Sequence, residues 1–534
     1  MKLFSLNKEI AGHLFLLGLL TALVFGNSLF NNFVYDDKVF VVHNPQIRQL
    51  SNAGGFFVSA KAYAGARDFF IYRPLAALSY AWDYFCWGLN PAGFHLTNIL
   101  LHILNVLLVY LLGSRLLRER GGALLMAALF AIHPAQAETV SWIAARSNLL
   151  CLLFFLLALL CYIKYSRRNY GLALLFFILS LLAKETAVIF VGVIWLYDYY
   201  YVLKVDKAKA VNAWWSYLPY LVATALYLVL RTAVLGRMSQ RSWWGGSLYA
   251  TALTMGNSFW HYLTILVLPL RLSVDYVLNV THNFSDPRVV AGWLAAIGLF
   301  ILALTVSRRH KEAAFGLFWF LLALLPVSNI IPLEALVAER FLYFPLIGFS
   351  MCAAAIVTVP WEQKWSRNLA WVLITALLMA YGFRTYQRNK DWRNDYTLWA
   401  STVKTSPESP RAHFALGDVY YQRGEYLLAI DQYQEALQLN PQVAELYNAL
   451  GLAYEEVPDY SLASGAYRQG LKVPALAPET KSSLWINLGN VYCRMGAFDQ
   501  ARTAYQKVLD LDPANPAAEH NLAIIKARQQ SRRP

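Results

Sequence analysis

Long apolar runs recur between residues 10 and 384, and they constrain this chain more than any other feature. Runs near 10–30, 94–117, 121–140, 148–165, 170–183, 186–203, 214–231, 289–306, 313–332, 341–360 and 368–384 approach the length a helix needs to cross a bilayer. In hydrocarbon every backbone polar group must be satisfied inside the membrane-spanning structure, so the expectation is an all-α, polytopic helix bundle of about eleven spans. Hydrophobic residues make up 58% of the 534 and charged residues only 15%, which excludes an ordinary soluble domain. The formal net charge of +14 is not a nucleic-acid footprint, because the basic residues cluster between the apolar runs. These clusters are Arg115, Arg118 and Arg120; Lys164, Arg167 and Arg168; Lys204, Lys207 and Lys209; Arg308, Arg309 and Lys311; and Lys364 and Arg367. Placing all of them in the cytoplasm with Lys2 and Lys8 gives an N-terminus inside and a C-terminal part outside. The arrangement requires the segment 256–272 to be re-entrant or interfacial. No small-residue cleavage site follows the first run, which reads as an uncleaved membrane helix. The five cysteines are scattered without a C-x-x-C, so neither a metal site nor a disulfide framework is expected.

This orientation collects the remaining polar residues on the outer side. Asp36 and Asp37, in Phe33-Val34-Tyr35-Asp36-Asp37-Lys38, open a long first outer loop, 31–93. Two adjacent carboxylates at the mouth of a membrane bundle are costly to hold and point to function, the plain alternative being a helix cap or a solvated pair. Farther along this loop, Arg73 lies between Phe69 and Phe85 in a mixed aromatic and polar stretch suited to a helix lying in the interface. His95, Asn98, His102 and Asn105 share one helical face, for interhelical hydrogen bonds or substrate contact. With no carboxylate on that face, a metal is not expected there. Glu138 and Arg146 follow Pro134, which kinks or ends a helix, and are expected to meet in an outer cavity, as a site or as an ordinary ion pair. Lys184-Glu185 marks a tight outer hairpin whose ammonium suits a lipid phosphate. Glu339-Arg340, just before Tyr343, presents a guanidinium able to fork onto a phosphate, or an interfacial anchor.

Past residue 385 the composition changes and a repeat appears. His413, Leu416, Gly417, Tyr420, Ala429, Tyr433, Ala436 and Pro441 fit the 34-residue tetratricopeptide pattern. Tyr447 to Gly470 repeats it, and Trp485 to Pro513 repeats it again after about four extra residues. The expected organisation is therefore a membrane domain over 1–385, a connecting half-repeat over 386–409, and about three repeats with a capping helix over 410–534. Stacked helix pairs of this kind form a solenoid with a concave face for an extended peptide, or serve to oligomerise the chain.

Taken in order, Tyr35-Asp36-Asp37, Tyr72-Arg73-Pro74-Leu75, His95-Leu96-Thr97-Asn98, Leu101-His102-Ile103-Leu104-Asn105, His133-Pro134, Ala145-Arg146-Ser147-Asn148, Ala183-Lys184-Glu185, Ala338-Glu339-Arg340-Phe341-Leu342-Tyr343 and Asp391-Trp392 resemble the transmembrane and tetratricopeptide-repeat-containing O-mannosyltransferases. The likeness runs over nearly the whole chain. It implies a GT-C bundle ahead of the solenoid and an inverting transfer of a sugar, mannose, from a polyprenyl-phosphate donor to a protein Ser or Thr hydroxyl. It also implies an acidic residue of the first loop as general base, here Asp36 or Asp37. The leaving phosphate calls for fixed cations, with Arg340 first and Arg146 and Lys184 behind it. Tyr35, Arg73, His95, Asn98, His102, Glu138, Glu339 and Tyr343 are the expected substrate contacts. No cofactor or metal is expected. The implied partners are the lipid-linked sugar, an acceptor protein on the concave face and membrane lipid, with no nucleic acid. Animal members carry many repeats where this chain has about three, which suggests a prokaryotic relative working on the outer face of the cell membrane. The alternatives are an outer-face glycan ligase using a lipid-linked glycan, and a non-enzymatic membrane scaffold.

Overall fold

The computed structural model describes residues 8–59, 71–164, 167–203, 210–236, 242–358 and 364–530. Lys2, part of the first outer loop with Phe69 and Phe70, and the Lys204, Lys207 and Lys209 cluster lie outside them. No strand occurs among the described residues, and the chain divides into two compact units, Met1–Asn394 and Asp395–Pro534. The stretch 386–409 is shared between them.

Among the described residues of the first unit six helices are long and apolar enough to cross a membrane: Lys8–Phe30, Pro91–Leu116, Ile143–Ile163, Trp214–Leu235, Pro287–Val306 and Asn368–Asp391. Three shorter apolar helices, Arg120–Ile132, Arg168–Ala183 and Pro345–Val357, join them, and the chain is a multi-pass membrane protein. Other expected runs are shorter as helices because polar turns cut into them. The run after Glu185 begins as a 3-10 turn, Glu185–Ile189, before Phe190–Tyr197. The segment around 256–272 supplies the last turns of a continuous helix, Leu248–Val267, capped by the Ser247 hydroxyl. That helix crosses Pro287–Val306 so closely that a Cβ on Gly292 would stand 1.8 Å from the Gly256 carbonyl oxygen.

Helix Pro74–Trp87 has the two faces expected of an interfacial element. Trp82, Phe85 and Trp87 are exposed, while Ala77, Tyr80 and Asp83 pack inward. Pro74 starts it, since a proline disfavours helix at the residue before it and its own missing N–H costs nothing in a first turn.

The second unit is a stack of antiparallel helix pairs. Pro410–Gln422 pairs with Tyr426–Leu439, Ala444–Glu456 with Tyr460–Gly470, and Pro478–Arg494 with Phe498–Leu511; Pro516–Gln530 closes the stack. The repeat signature has a steric cause. A Cβ at Gly417, Gly451 or Gly489 would fall 2.5, 2.3 or 2.6 Å from a ring carbon of Tyr433, Tyr467 or Tyr505, so each helix pair closes on a bare glycine. Each of these tyrosines then donates its hydroxyl hydrogen bond back to the first helix of its pair, to Asp418, Glu455 and Asn490 at 2.6–2.7 Å.

Candidate active site

The two loop aspartates occupy different environments. Asp37 is buried, its Oδ1 accepting from the Ala144 N–H at 2.7 Å and its Oδ2 from the Val34 N–H at 3.1 Å. It pins the loop to the turn Ile143–Ala145 and closes its own tight turn, in which Tyr35 takes a left-handed backbone with φ of 51°. The Tyr35 ring stacks on Trp142 at 5.5 Å, and Trp142 stacks on Trp392 at 5.7 Å. Asp36 remains partly exposed, and among the described residues its carboxylate makes no hydrogen bond or ion pair. Burial pushes its pKa up to about 7, the Arg340 guanidinium pulling it back and Glu334 adding to the rise.

Arg340 is the common neighbour of the charged groups here. Its backbone N–H donates to Glu138 Oε2 at 2.7 Å, and its Nη1 pairs with Glu138 Oε1. The guanidinium lies over the rings of Trp142 and Phe341, 5.3 and 5.1 Å from their centroids, and its side chain keeps 22% exposure. Lys184, almost wholly buried, donates to Asn148 Oδ1 at 2.5 Å and faces the Phe341 ring. Burial, with Arg73 and Arg340 nearby, pulls its pKa down to about 7 against the opposing effect of Glu185. Arg73 bridges to Glu185 at 2.9 Å, and against the opposing effect of burial this cation together with Lys184 brings the Glu185 pKa down to about 2. Asp36, Arg340, Lys184, Arg73 and Glu185 thus form one electrostatic neighbourhood, with Tyr35 stacked at its edge.

Other expected contacts are committed to the scaffold. Glu138 and Arg146 do not meet. Glu138 goes to Arg340, and Arg146, fully buried, pairs with Asp83 at 2.6 Å, donates to Asn98 Oδ1 and the Phe94 carbonyl, and packs on Tyr80. The interfacial helix turns Asp83 inward, which spacing around the Pro134 turn could not reveal. Asn98 donates onward to the carbonyls of Val140 and Trp142, fixing the turn on which Asp37 docks. His102 donates from Nε2 to the Ala131 carbonyl, so its Nδ1 accepts from the Tyr343 hydroxyl, which in turn accepts from Asn105. His95 is fully buried, and neither ring nitrogen meets hydrogen-bond geometry with a described residue. Among the described residues no cluster of His, Cys, Asp and Glu has the spacing to hold a metal ion.

One participant, Arg388, escaped sequence reasoning. Glu339, fully buried, points away from its neighbour Arg340 and pairs with Arg388 at 2.9 Å, while Tyr276 donates to the same oxygen. Burial pushes the Glu339 carboxyl up against the pull of Arg388. Arg388 reads in the sequence as one more basic residue after the last span. The nearest signal was the Asp391-Trp392 pair three residues on, for Arg388 also bridges to Asp391 at 3.0 Å.

A tetratricopeptide-repeat family model matches residues 417–457 and 489–530. Human protein O-mannosyl-transferase TMTC1 is 27% identical over 491 residues, covering 81% of this chain and 56% of its own length. Mouse TMTC3 is 24% identical, covering 79% of the chain and 50% of its length. This chain resembles the TMTC protein O-mannosyl-transferases. It spans about half the length of these curated relatives. Among solved structures, ArnT from Cupriavidus metallidurans bound to undecaprenyl phosphate aligns with 92% of this chain and 91% of its own, at 14% identity and a TM-score of 0.39.

Proposed function

We propose that this chain is an inverting membrane glycosyltransferase of GT-C type, moving mannose from a polyprenyl-phosphate donor to a Ser or Thr hydroxyl of a protein on the outer face. The observation that carries the reading is Asp36 with no bonded partner among the described residues, beside Arg340, in a chain related over 81% of its length to an O-mannosyl-transferase.

Asp36 is the general base and Asp37 its anchor, because both Asp37 oxygens already accept backbone N–H groups. In the transfer step the acceptor oxygen forms a bond to the anomeric carbon from one face while the bond from that carbon to the phosphate oxygen breaks on the other. The hydroxyl proton passes to Asp36, and the bonding pair leaves with the lipid monophosphate. Arg340 stabilises that phosphate with the guanidinium edge that Glu138 leaves open, and Lys184 adds a second cation. A phosphate monoester leaves as a stable anion without protonation, so the step as written needs no metal. Arg146 is not assigned to the phosphate, since Asp83 neutralises it in the core. Exposed Trp82 and Phe85 suit the lipid, and the concave face of the repeats presents the acceptor.

The test is mannosyl transfer by purified protein from polyprenyl-phosphate-mannose to exported proteins of the host. Transfer by wild type that is lost in Asp36→Asn is the expected result. A wild type without transfer, or an active Asp36→Asn variant, overturns it.

A further inference from the structure

In the repeat unit the first helices of neighbouring pairs meet, Ala444–Glu456 touching both Pro410–Gln422 and Pro478–Arg494, whereas the second helices of neighbouring pairs barely touch. The stack therefore curves toward its first helices, and side chains along the seams between them line its inner face. These seams are bridged by polar groups. Between Ala444–Glu456 and Pro478–Arg494, Thr480 donates to Glu445 at 3.2 Å, Asn487 to Asn448 Oδ1 at 2.9 Å, and Arg494 stands 3.6 Å from Glu455. At the next seam Asn521, on the closing helix Pro516–Gln530, donates to Asn490 Oδ1 at 3.2 Å.

The four asparagines are half-buried, and their bonds leave part of each amide over. Asn490 Oδ1 also accepts from the Tyr505 hydroxyl at 2.7 Å. Among the described residues, Nδ2 of Asn448 and of Asn490 donates to nothing and Oδ1 of Asn487 and of Asn521 accepts from nothing, yet none of these four atoms is sealed from solvent. Each bridged pair thus offers one free donor and one free acceptor, which is what a peptide residue presents on one side, its own N–H and C=O. The spacing agrees. Asn487 and Asn490 lie three apart on one helix, about 5–6 Å between their Cβ atoms, and an extended main chain turns an N–H and a C=O to the same side every second residue, about 7 Å on.

We infer that the inner face of the repeats binds the main chain of an extended protein segment through Asn448, Asn487, Asn490 and Asn521, with little regard to its side chains. That the bound segment is the acceptor rests on the proposed function; the binding itself does not. A folded domain, whose N–H and C=O groups are already paired, is not a ligand for this face.

The test is binding of a fluorescent, uncharged, unstructured peptide of about twelve residues to the full-length protein, with no donor lipid present. Asn448→Asp/Asn490→Asp turns each free amide donor into an oxygen, while Asn487, Asn521 and Tyr505 keep their acceptors, so the repeats keep their internal bonds. In that variant Kd should rise about tenfold or more, with protease cleavage of the repeats unchanged. For wild type, methylating the main-chain nitrogen of every second residue of the peptide should raise Kd to a similar extent, and scrambling its sequence should change Kd by less than about threefold. Unchanged Kd in the Asp variant, or for the N-methylated peptide, overturns main-chain binding. So does a scrambled peptide that fails to bind, which would mean side-chain readout, and so does a face that binds no peptide but joins two copies of the chain. If the Asp variant does not fold, the N-methylated and scrambled peptides on wild type decide. The expected binding pattern in a protein without mannosyl transfer would uphold the peptide site and refute the glycosyltransferase reading alone, and transfer without peptide binding would do the reverse.

Discussion

The membrane unit and the repeat unit use their polar residues in opposite ways. In the repeats, Tyr433 reaches Asp418 and Tyr505 reaches Asn490, each across 15 residues, and Tyr467 reaches Glu455 across 12. In the membrane unit, Asp37 meets Ala144 across 107 residues, Arg340 meets Glu138 across 202, and Asn31 meets Asn389 across 358. Short separations return at every copy of a motif and so mark the sequence with a period. Long ones occur once and leave none. Loss of one contact in the repeats therefore leaves its equivalents in the other copies, whereas each contact in the site occurs once.

The sharpest way to break this contrast is Asp36→Asn, for which transfer should fall by about 10³-fold or more with the fold intact. Retained activity would leave the site without its base. Arg340→Ala should lower kcat/KM by about 10²-fold or more. Asp37→Asn should cost only about tenfold, since an amide oxygen still accepts from Ala144 while the second backbone donor loses its acceptor. A loss equal to that of Asp36→Asn would merge the base and anchor roles. In the repeats, Gly451→Ala forces a methyl against Tyr467 and should destabilise that helix pair by about 1–3 kcal/mol. Protease cleavage of the full chain should then rise within Ala444–Gly470, while transfer to a short peptide acceptor changes by less than about twofold. The smallest effect is the most diagnostic. Asp36 acts as a base only when ionised, so kcat/KM should fall as pH drops through about 7. Arg340 holds that pKa down, so the acidic limb should move to higher pH in Arg340→Ala, measured on its residual activity.

Parts of the site were legible in advance and parts were not. Asp36, Arg340 and Lys184 stood out because a charge beside apolar runs needs a reason. Their partners did not. Asp83 lies within the mixed aromatic and polar stretch expected at the interface, and it turns inward to take Arg146. Pairing Glu138 with Arg146 failed because closeness in sequence on either side of a turn does not set direction. The helical face His95, Asn98, His102 and Asn105 was visible from its spacing, but not that Tyr343 would join His102 and Asn105, because Tyr343 lies more than 200 residues beyond them.

Local chemistry was enough to dictate part of this protein from its sequence alone. Apolar length made the chain an all-helical membrane protein, and glycine and tyrosine at fixed spacing made its C-terminal part a stack of helix pairs. The tertiary arrangement was needed to settle which of two adjacent aspartates keeps an open carboxylate, which cation stands beside it, and that Arg388 occupies Glu339. The reason is physical: in a low-dielectric interior each charge is governed by the groups that surround it, and those groups come from distant segments.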